Sequence, residues 1–299
     1  MCNTPLHMAY YKRLFTKLSL LKFIKGNKMA ENPEVKVALL GVPFDGNSSF
    51  ERGAALAPNK IREVLNHGSL NGATELGVNL RDSKQWLDAG DVDISSSDNF
   101  IDKIEQRCDQ LLAQNTRLLT LGGDHSISYP ILKSYRKFFD KITILHIDAH
   151  SDLYDSFKGN RYSNACPFAR VMEDGLCDRL VQVGIRTLNL HQNEQIEKFK
   201  VESLEMRHWP LAQPLVFQHP VYLSLDIDGI DPAFAPGVSH REPGGLTSRE
   251  VINLIHQINT PLVGADIVEF NPNKDIDNMT AQLAAKLVKE VAGKMLMGL

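Results

Sequence analysis

Apolar segments alternate with amphipathic ones along most of the chain, and the two kinds have different periods. Several short segments are almost continuously apolar, as in residues 35–42, 142–147 and 262–268. Others, such as residues 100–114, have apolar side chains every three or four positions. The short continuous runs predict buried strands, and the longer period predicts helices with one buried face. Strands that alternate with helices in this way are typical of a parallel sheet covered on both faces, which is an α/β fold.

The predicted elements follow one another from residue 35 to the C-terminus. Pro58 begins the first helix, and Thr247 with Glu250 forms a capping box at the start of a later one. No repeat, low-complexity tract or Pro/Ser-rich linker interrupts the alternation, so residues 31–299 are predicted to form one domain. The predicted strands are residues 35–42, 86–93, 117–121, 142–147, 180–184, 221–225 and 262–268. The predicted helices are residues 58–65, 100–114, 167–173 and 247–258, a helix capped by Ser126 or Ser128, and a C-terminal helix.

Composition limits the classes of partner. The chain has 299 residues, 43% of them hydrophobic, with a net charge of -3, so nothing global favours a nucleic-acid partner. No apolar run reaches membrane-spanning length, so no membrane partner is expected. The four cysteines show no metal-binding spacing and are expected to be free thiols in a reducing compartment, which favours the cytoplasm.

The N-terminal 30 residues differ from the rest. Six of the 33 basic residues lie there and no acid does, so the rest of the chain has 27 bases against 36 acids. Residues 1–30 are predicted to be a basic extension. It is either poorly ordered, or the product of an upstream translation start, with Met29 as the usual start. The alternative is a mitochondrial presequence, since such segments are basic and amphipathic. The acidic remainder would attract cations, including cationic substrates.

Candidate metal ligands follow three of the predicted strands. They are His125, then Asp148, His150 and Asp152, then Asp226 and Asp228. If the fourth strand continues through residues 148–152, its alternate residues share one face. The carboxyl ends of parallel strands meet at one edge of the sheet, so all six side chains are expected to converge there. Each has an ordinary alternative: residues 148–152 as an acidic surface loop, His125 as a helix cap, Asp228 as a turn residue. His146 is expected to be a packed core histidine.

Four carboxylates in one place repel one another unless cations neutralise them. The set is rich in oxygen and lacks thiolate, so Mn²⁺ or Mg²⁺ fits it better than a structural zinc. Two cations that share a water lower its pKa and make it a nucleophile near neutral pH. The chemistry predicted from the residues alone is therefore hydrolytic attack on carbon or phosphorus, without a Ser or Cys nucleophile.

The same stretches resemble the metal signatures of the ureohydrolases, the arginase and agmatinase family. They read Gly122-Gly123-Asp124-His125-Ser126, Asp148-Ala149-His150-Ser151-Asp152 and Ser224-Leu225-Asp226-Ile227-Asp228-Gly229. The resemblance covers about residues 35–295 and includes residues 41–45, 235–237, 242–246 and 266–272.

The resemblance implies a three-layer α/β/α sandwich with a mainly parallel sheet and two Mn²⁺ per chain. The six residues above would be the ligands, with Asp148 and Asp226 shared by the two metals. Glu269 matches the carboxylate that holds the substrate guanidinium, as carboxylates do in bidentate fashion, and Asp124 would orient a neighbouring ligand. The products would be urea and an amine, and the chain would form a homo-oligomer, a trimer or hexamer.

One position departs from the family pattern. Asn164 stands where the family usually has a histidine assigned to proton transfer or to substrate binding. An amide forms hydrogen bonds but does not titrate, and losing a general acid costs about 10²–10⁴-fold in rate. The enzyme is therefore slow, or His240 supplies the proton, or the chain is a metal-binding or regulatory pseudoenzyme. The ordinary alternative is that Asn is tolerated because the metal-bound hydroxide does most of the chemistry. The candidate catalytic residues are Asp148, Asn164, Glu269 and His240.

The expected partner is a small cationic guanidino compound. Animal-type arginases bind the substrate carboxylate through small polar residues in the loop that follows the position of Asp152. In this chain that loop, residues 153–160, lacks an obvious match. This favours agmatine, which would give putrescine and urea. The chain also resembles the branch that joins bacterial agmatinase-like proteins with plant arginases, so arginine stays open, and Arg161 or Arg241 would then bind its carboxylate. A one-zinc, deacetylase-like amidohydrolase is a third alternative.

Overall fold

A computed structural model describes residues 35–94 and 99–298 of the chain. Within them, eight strands form one sheet in the order β2-β1-β3-β8-β7-β4-β5-β6, and every pair of neighbours is parallel. The predicted basic extension, residues 1–30, lies outside the described residues. The strands are β1 (Lys36–Gly41), β2 (Trp86–Asp91), β3 (Thr116–Leu121), β4 (Thr143–Ile147), β5 (Arg179–Ile185), β6 (Glu202–Glu205), β7 (Val221–Asp226) and β8 (Leu262–Val268).

Helices cover both faces of the sheet, which confirms the predicted layered α/β fold. Successive strand residues point to opposite faces, so Val37 and Leu39 enter one hydrophobic core and Ala38 and Leu40 the other. The first core includes α1 (Ala57–His67), α6 (Ser248–Gln257) and α7 (Met279–Leu296); the second includes α2 (Phe100–Leu112), α3 (Ser128–Phe138), α4 (Pro167–Glu173) and residues of α5 (Leu190–Phe199).

Two elements were not predicted from the sequence. Helix α5 buries only Gln192 and Gln195, so it shows no apolar stripe. It begins at a capping box, in which Asn189 and Gln192 each accept a hydrogen bond from the other's backbone N–H. Strand β6 is a four-residue edge strand that contains two glutamates and has no fully buried residue. Both elements lack the hydrophobic period on which the prediction relied.

The predicted capping box at Thr247 is confirmed. The Thr247 side chain accepts a hydrogen bond from the Glu250 N–H, and the Glu250 side chain accepts one from the Thr247 N–H. Among the described residues, no helix is both long and apolar enough to span a membrane. Cys108, Cys166 and Cys177 are free thiols.

Strand β4 ends earlier than the continuation considered above. It stops at Ile147, and residues 148–152 form a loop in which Asp152 has a left-handed φ of 50°. The Asp148 side chain ends the strand, because its Oδ1 accepts a hydrogen bond from the His150 N–H at 2.6 Å. A continued strand with alternate ligands on one face is therefore wrong, and the loop brings these side chains to the sheet edge instead.

Candidate metal centre

The four adjacent central strands end at the candidate site. His125 follows β3, Asp148 follows β4, and Asp226 is the last residue of β7. Glu269 follows β8 directly. Because parallel strands end at the same edge of the sheet, these side chains lie together. Of the six predicted ligands, His150 is partly buried. The other five are at most 7% exposed: His125, Asp148, Asp152, Asp226 and Asp228.

His125 lies at the centre of one group of carboxylates. Its Nδ1 is 3.2 Å from Asp148 Oδ2, 3.0 Å from Asp152 Oδ2 and 3.2 Å from Asp226 Oδ2. This places one imidazole nitrogen against three carboxylate oxygens in a buried space.

His150 forms a second group beside the first. Its Nδ1 is 3.3 Å from Asp148 Oδ1 and 3.1 Å from Asp228 Oδ2. Asp148 therefore offers Oδ2 to the first group and Oδ1 to the second. Two ligand groups that share one carboxylate are the arrangement expected of a two-metal site.

The hydrogen bonds of His125 determine which ring nitrogen has a free lone pair. The Ser224 hydroxyl donates to Asp266 Oδ1 at 2.7 Å, so Ser224 Oγ accepts the proton on His125 Nε2 at 2.9 Å. In the neutral form of the imidazole, Nδ1 of His125 therefore has the lone pair; this buried atom has no hydrogen-bond partner among the described residues. A buried nitrogen lone pair directed at three carboxylate oxygens fits a bound cation.

The pKa values report the same crowding of negative charge. Burial and the nearby carboxylates of Asp228 and Asp148 raise the pKa of Asp226 well above its ordinary value. Burial alone would lower the pKa of both histidines, but the surrounding carboxylates outweigh it and raise the pKa of His125 and His150. Without a cation, the cluster therefore keeps protons that a cation would displace.

Metal binding at pH 7 is expected to release protons. His125 and His150, whose pKa values are raised, each carry a proton to be lost before a cation binds. Calorimetric titration of metal-free protein with Mn²⁺ in two buffers of different ionisation enthalpy measures this release. Equal heats in both buffers would contradict it.

His146 is buried as expected, but it also contacts the site. Its Nε2 donates to Asp148 Oδ2 at 2.8 Å, and its Nδ1 accepts from the Gln182 amide at 3.0 Å. The same amide donates to the Ser151 carbonyl at 2.6 Å. Its geometry thus suits holding the shared carboxylate better than binding a metal directly.

A buried polar chain behind His125 was missed in the sequence analysis. Asp266 in β8 accepts from the Tyr222 hydroxyl and from the Ser224 hydroxyl, both at 2.7 Å, and Ser224 accepts from His125. The sequence signal is that Tyr222 and Ser224 alternate within a buried strand, and Ser224 lies opposite Asp266 in the next one. This chain fixes the tautomer of His125.

Asp266→Asn is expected to weaken Mn²⁺ binding about 10- to 100-fold, the usual effect of removing a partner that orients a ligand. The amide accepts less strongly from Ser224, so the His125 tautomer is held less firmly. Competition with a fluorescent chelator measures the affinity, and Asp178→Asn, at an exposed aspartate just before β5, is the control. Equal affinities of the Asp266→Asn variant and the wild type would contradict the expectation.

Two glycines allow the backbone to approach Asp148 closely. A Cβ on Gly229 would lie 2.8 Å from the Asp148 backbone nitrogen, and one on Gly184 would lie 2.7 Å from the Asp148 carbonyl oxygen. Gly184 also has a φ of 100°, which residues with side chains rarely adopt. Neither was identified from the sequence, although Gly229 lies within the third motif.

Glu269 lies beside the candidate metal ligands and faces a cavity. Its Oε1 accepts hydrogen bonds at 2.9 Å from the His125 N–H and from the Asn164 amide. Burial and the nearby charge of Asp124 raise the pKa of Glu269 to about 8. A buried carboxylate that forms no ion pair with a described residue would gain stability from a cationic ligand.

The cavity has a volume of about 250 Å³ and reaches both ligand groups. Asn164, Glu269 and His240 line it with four of the six candidate ligands, His150, Asp152, Asp226 and Asp228. The His240 ring centroid is 5.7 Å from that of His150 and 5.5 Å from that of Phe50. All four candidate catalytic residues thus lie at or beside one cavity.

The structure places three other candidates away from the cavity. Arg161 binds Asp155 and Glu173, and Arg241 donates to the carbonyls of Pro236 and Lys274; neither arginine lines the cavity. Asp124 accepts from the backbone of Asn47 and Ser126, so it holds the turn around His125 and not the His125 ring. Each arginine is engaged by nearby groups instead.

Known proteins resemble the chain over nearly its whole length. A model of the Arginase family matches residues 35–293. Arginase 1, mitochondrial, from Arabidopsis thaliana is 44% identical over 95% of this chain and 86% of its own length. Guanidinobutyrase from Pseudomonas aeruginosa is 36% identical over 88% of this chain and 87% of its own length. The solved structure of arginase from Medicago truncatula matches with a TM-score of 0.84 and 41% identity, covering 93% of this chain and 91% of that one. With the His/Asp cluster at the end of a parallel sheet, these similarities show that the chain belongs to the arginase family, the ureohydrolases.

Proposed function

We propose that the chain hydrolyses a guanidino compound to urea and an amine, using two Mn²⁺ ions. The observation that carries this proposal is Glu269, a buried carboxylate that faces the cavity beside the two ligand groups. A guanidinium is a planar cation with paired N–H donors, which a carboxylate accepts. The oxygen-rich ligand set supports manganese as the metal.

The residues of the site are proposed to have three roles: metal binding, substrate binding and proton donation. His125, Asp148, His150, Asp152, Asp226 and Asp228 would hold the metals, which when bound supply Lewis-acid activation of water. Glu269 binds the guanidinium and orients its carbon toward the ligand groups. His240, at the cavity and partly buried, is the proposed source of the proton for the leaving amine, because Asn164 does not titrate.

The charges of the cavity support a substrate with a second positive group. Among the described residues its lining includes no Lys or Arg, but it includes Glu242, whose side chain accepts no hydrogen bond from any of them. Two divalent cations would balance the four ligand carboxylates, and the guanidinium would balance Glu269. Glu242 is then the carboxylate that could bind a distal ammonium group of the substrate. Arginine and agmatine both have one, whereas 4-guanidinobutyrate has a carboxylate instead.

We place arginine first and agmatine second. The named plant relatives are arginases, and they match this chain more closely than the guanidinobutyrase does. Agmatine remains second because residues 153–160 favour it and because the described residues of the cavity wall include no Lys or Arg for the carboxylate of arginine. The relative kcat/KM values for the two substrates decide the order.

Urea release by purified, Mn²⁺-loaded protein tests the proposal. Arginine, agmatine, 4-guanidinobutyrate and guanidine are compared at equal concentration, and acetyl-amines test the deacetylase alternative. We expect urea from arginine or agmatine and little from 4-guanidinobutyrate. No urea from any guanidino compound would instead support the second candidate, a metal-binding pseudoenzyme, which Asn164 favours.

The compartment and assembly are also proposals. The Arabidopsis relative is named as mitochondrial, which supports a mitochondrial location as the alternative to the cytoplasm. A homo-oligomer, trimer or hexamer, is proposed from the family resemblance. Sedimentation of the purified protein measures its mass, and a monomer would contradict the assembly.

A further inference from the structure

The amide of Asn164 has one orientation that its neighbours allow. Its Oδ1 lies 2.9 Å from the Ser49 N–H and 3.2 Å from the Ser163 hydroxyl, and both groups donate to it. A backbone N–H cannot accept a hydrogen bond, so the oxygen must face Ser49 and the NH₂ group must face the other way. The backbone is fixed too, because the Asn164 N–H donates to the Asn47 carbonyl at 3.1 Å.

The NH₂ group so placed donates to Glu269. Asn164 Nδ2 is 2.9 Å from Glu269 Oε1, the same oxygen that accepts the His125 N–H at 2.9 Å. Glu269 Oε2 accepts no hydrogen bond from the described residues, and the side chain lines the cavity. One carboxylate oxygen is therefore anchored at two points, and the other is available to a ligand.

We propose that Asn164 is a positioning residue that aims the carboxylate of Glu269 at the substrate guanidinium. This inference rests on the proposed function, because it assigns the guanidinium to Glu269. Asn164 then contributes to substrate binding through a neutral, fixed donor instead of through proton transfer. A side chain without a second titration state keeps that donor at every pH at which the fold persists.

Three substitutions separate this role from simple packing. Asn164→Asp has nearly the same shape and keeps the acceptor for Ser49, but it loses the donor and adds a like charge beside Glu269. Asn164→Ala loses both groups. Asn164→His keeps one acceptor and one donor nitrogen, because a neutral imidazole has one of each. A packing role predicts that the Asn164→Asp variant behaves like the wild type, whereas a donor role predicts that it is the worst of the three.

The primary measurement is the binding of methylguanidinium to Mn²⁺-loaded protein by calorimetry, since it does not depend on turnover. We expect Kd to rise about 10- to 100-fold for Asn164→Ala, the range for losing a hydrogen bond to a charged group. It should rise further for Asn164→Asp and stay within about threefold for Asn164→His. KM for arginine should follow the same order, with a smaller change in kcat. Inhibition by ornithine, which lacks the guanidinium, should change little.

Ser163→Ala is the matched control. It removes the longer of the two hydrogen bonds to the Asn164 oxygen and leaves the one from Ser49 in place, so Kd should change less than about twofold. Unchanged methylguanidinium binding in both the Asn164→Ala and the Asn164→Asp variants, at full metal content, would overturn the inference. Wild-type protein that binds methylguanidinium but releases no urea would sink the proposed function and leave the positioning role standing.

Discussion

Asp148→Asn is expected to lower kcat for urea release by about 10³-fold or more, which corresponds to about 4 kcal/mol. Asp148 is the carboxylate common to both ligand groups, with one oxygen near His125 and the other near His150. An amide has no charge and offers one oxygen, so it cannot serve both groups. The paired site should therefore lose affinity for at least one metal, measured by elemental analysis alongside the urea assay.

Asp155→Asn provides the control for this substitution. Asp155 lies three residues beyond Asp152, about half exposed, and pairs with Arg161 and Arg170 outside the cavity. The pair with Arg161 is exposed and contributes about 0–1 kcal/mol. Arg170 is buried but keeps Glu173 and the carbonyls of Asp155 and Arg161 as partners, so metal content and kcat should hardly change. If the Asp148→Asn protein kept two metals per chain and more than a tenth of its activity, the shared role of Asp148 would be wrong.

Glu269→Gln is expected to lower kcat/KM by about 10²–10⁴-fold. The substrate guanidinium would enter a buried cavity and lose its only proposed charge partner there, a loss that costs about 3–5 kcal/mol. The amide keeps nearly the same size and can still accept from the His125 N–H and from Asn164. The fold and the metal content should therefore persist, and steady-state kinetics with thermal melting distinguishes the two effects.

Glu51→Gln is a suitable control, because Glu51 pairs with Lys274 and does not line the cavity. Its side chain is 38% exposed, so we expect a change in kcat/KM of less than about twofold. If the Glu269→Gln protein had the wild-type kcat/KM, Glu269 would not be the residue that binds the substrate guanidinium. The proposed role of Asn164, which is to position Glu269 for that binding, would then be wrong as well.

The sequence allowed prediction of those features that depend on local pattern. The continuous apolar runs of β4 and β8 predicted buried strands, and the position of ligands after the strands predicted their convergence, because parallel strands end at one edge. Thr247 and Glu250 predicted a helix start through a contact between residues three apart. These features need no knowledge of distant residues.

The features that were missed depend on pairs far apart in the chain or on single torsion angles. Ser224 and Asp266 lie on different strands, and only the register of β7 with β8 places them together behind His125. The orientation of the Asn164 amide depends on Ser49, 115 residues away. The loop after β4 turns at Asp148 through a hydrogen bond within three residues, which competes with continued strand pairing.

The site divides into two parts that can change independently. The candidate metal ligands stand at or just after the ends of central strands, where a shift would disturb the whole sheet. The cavity wall includes Ser49, Phe157 and Glu242, which lie on connecting loops. Loops tolerate substitution far better than buried strands. Exchange of the wall would therefore change the compound that is bound while the candidate ligands stay in place, and relatives of this chain carry names as different as arginase and guanidinobutyrase.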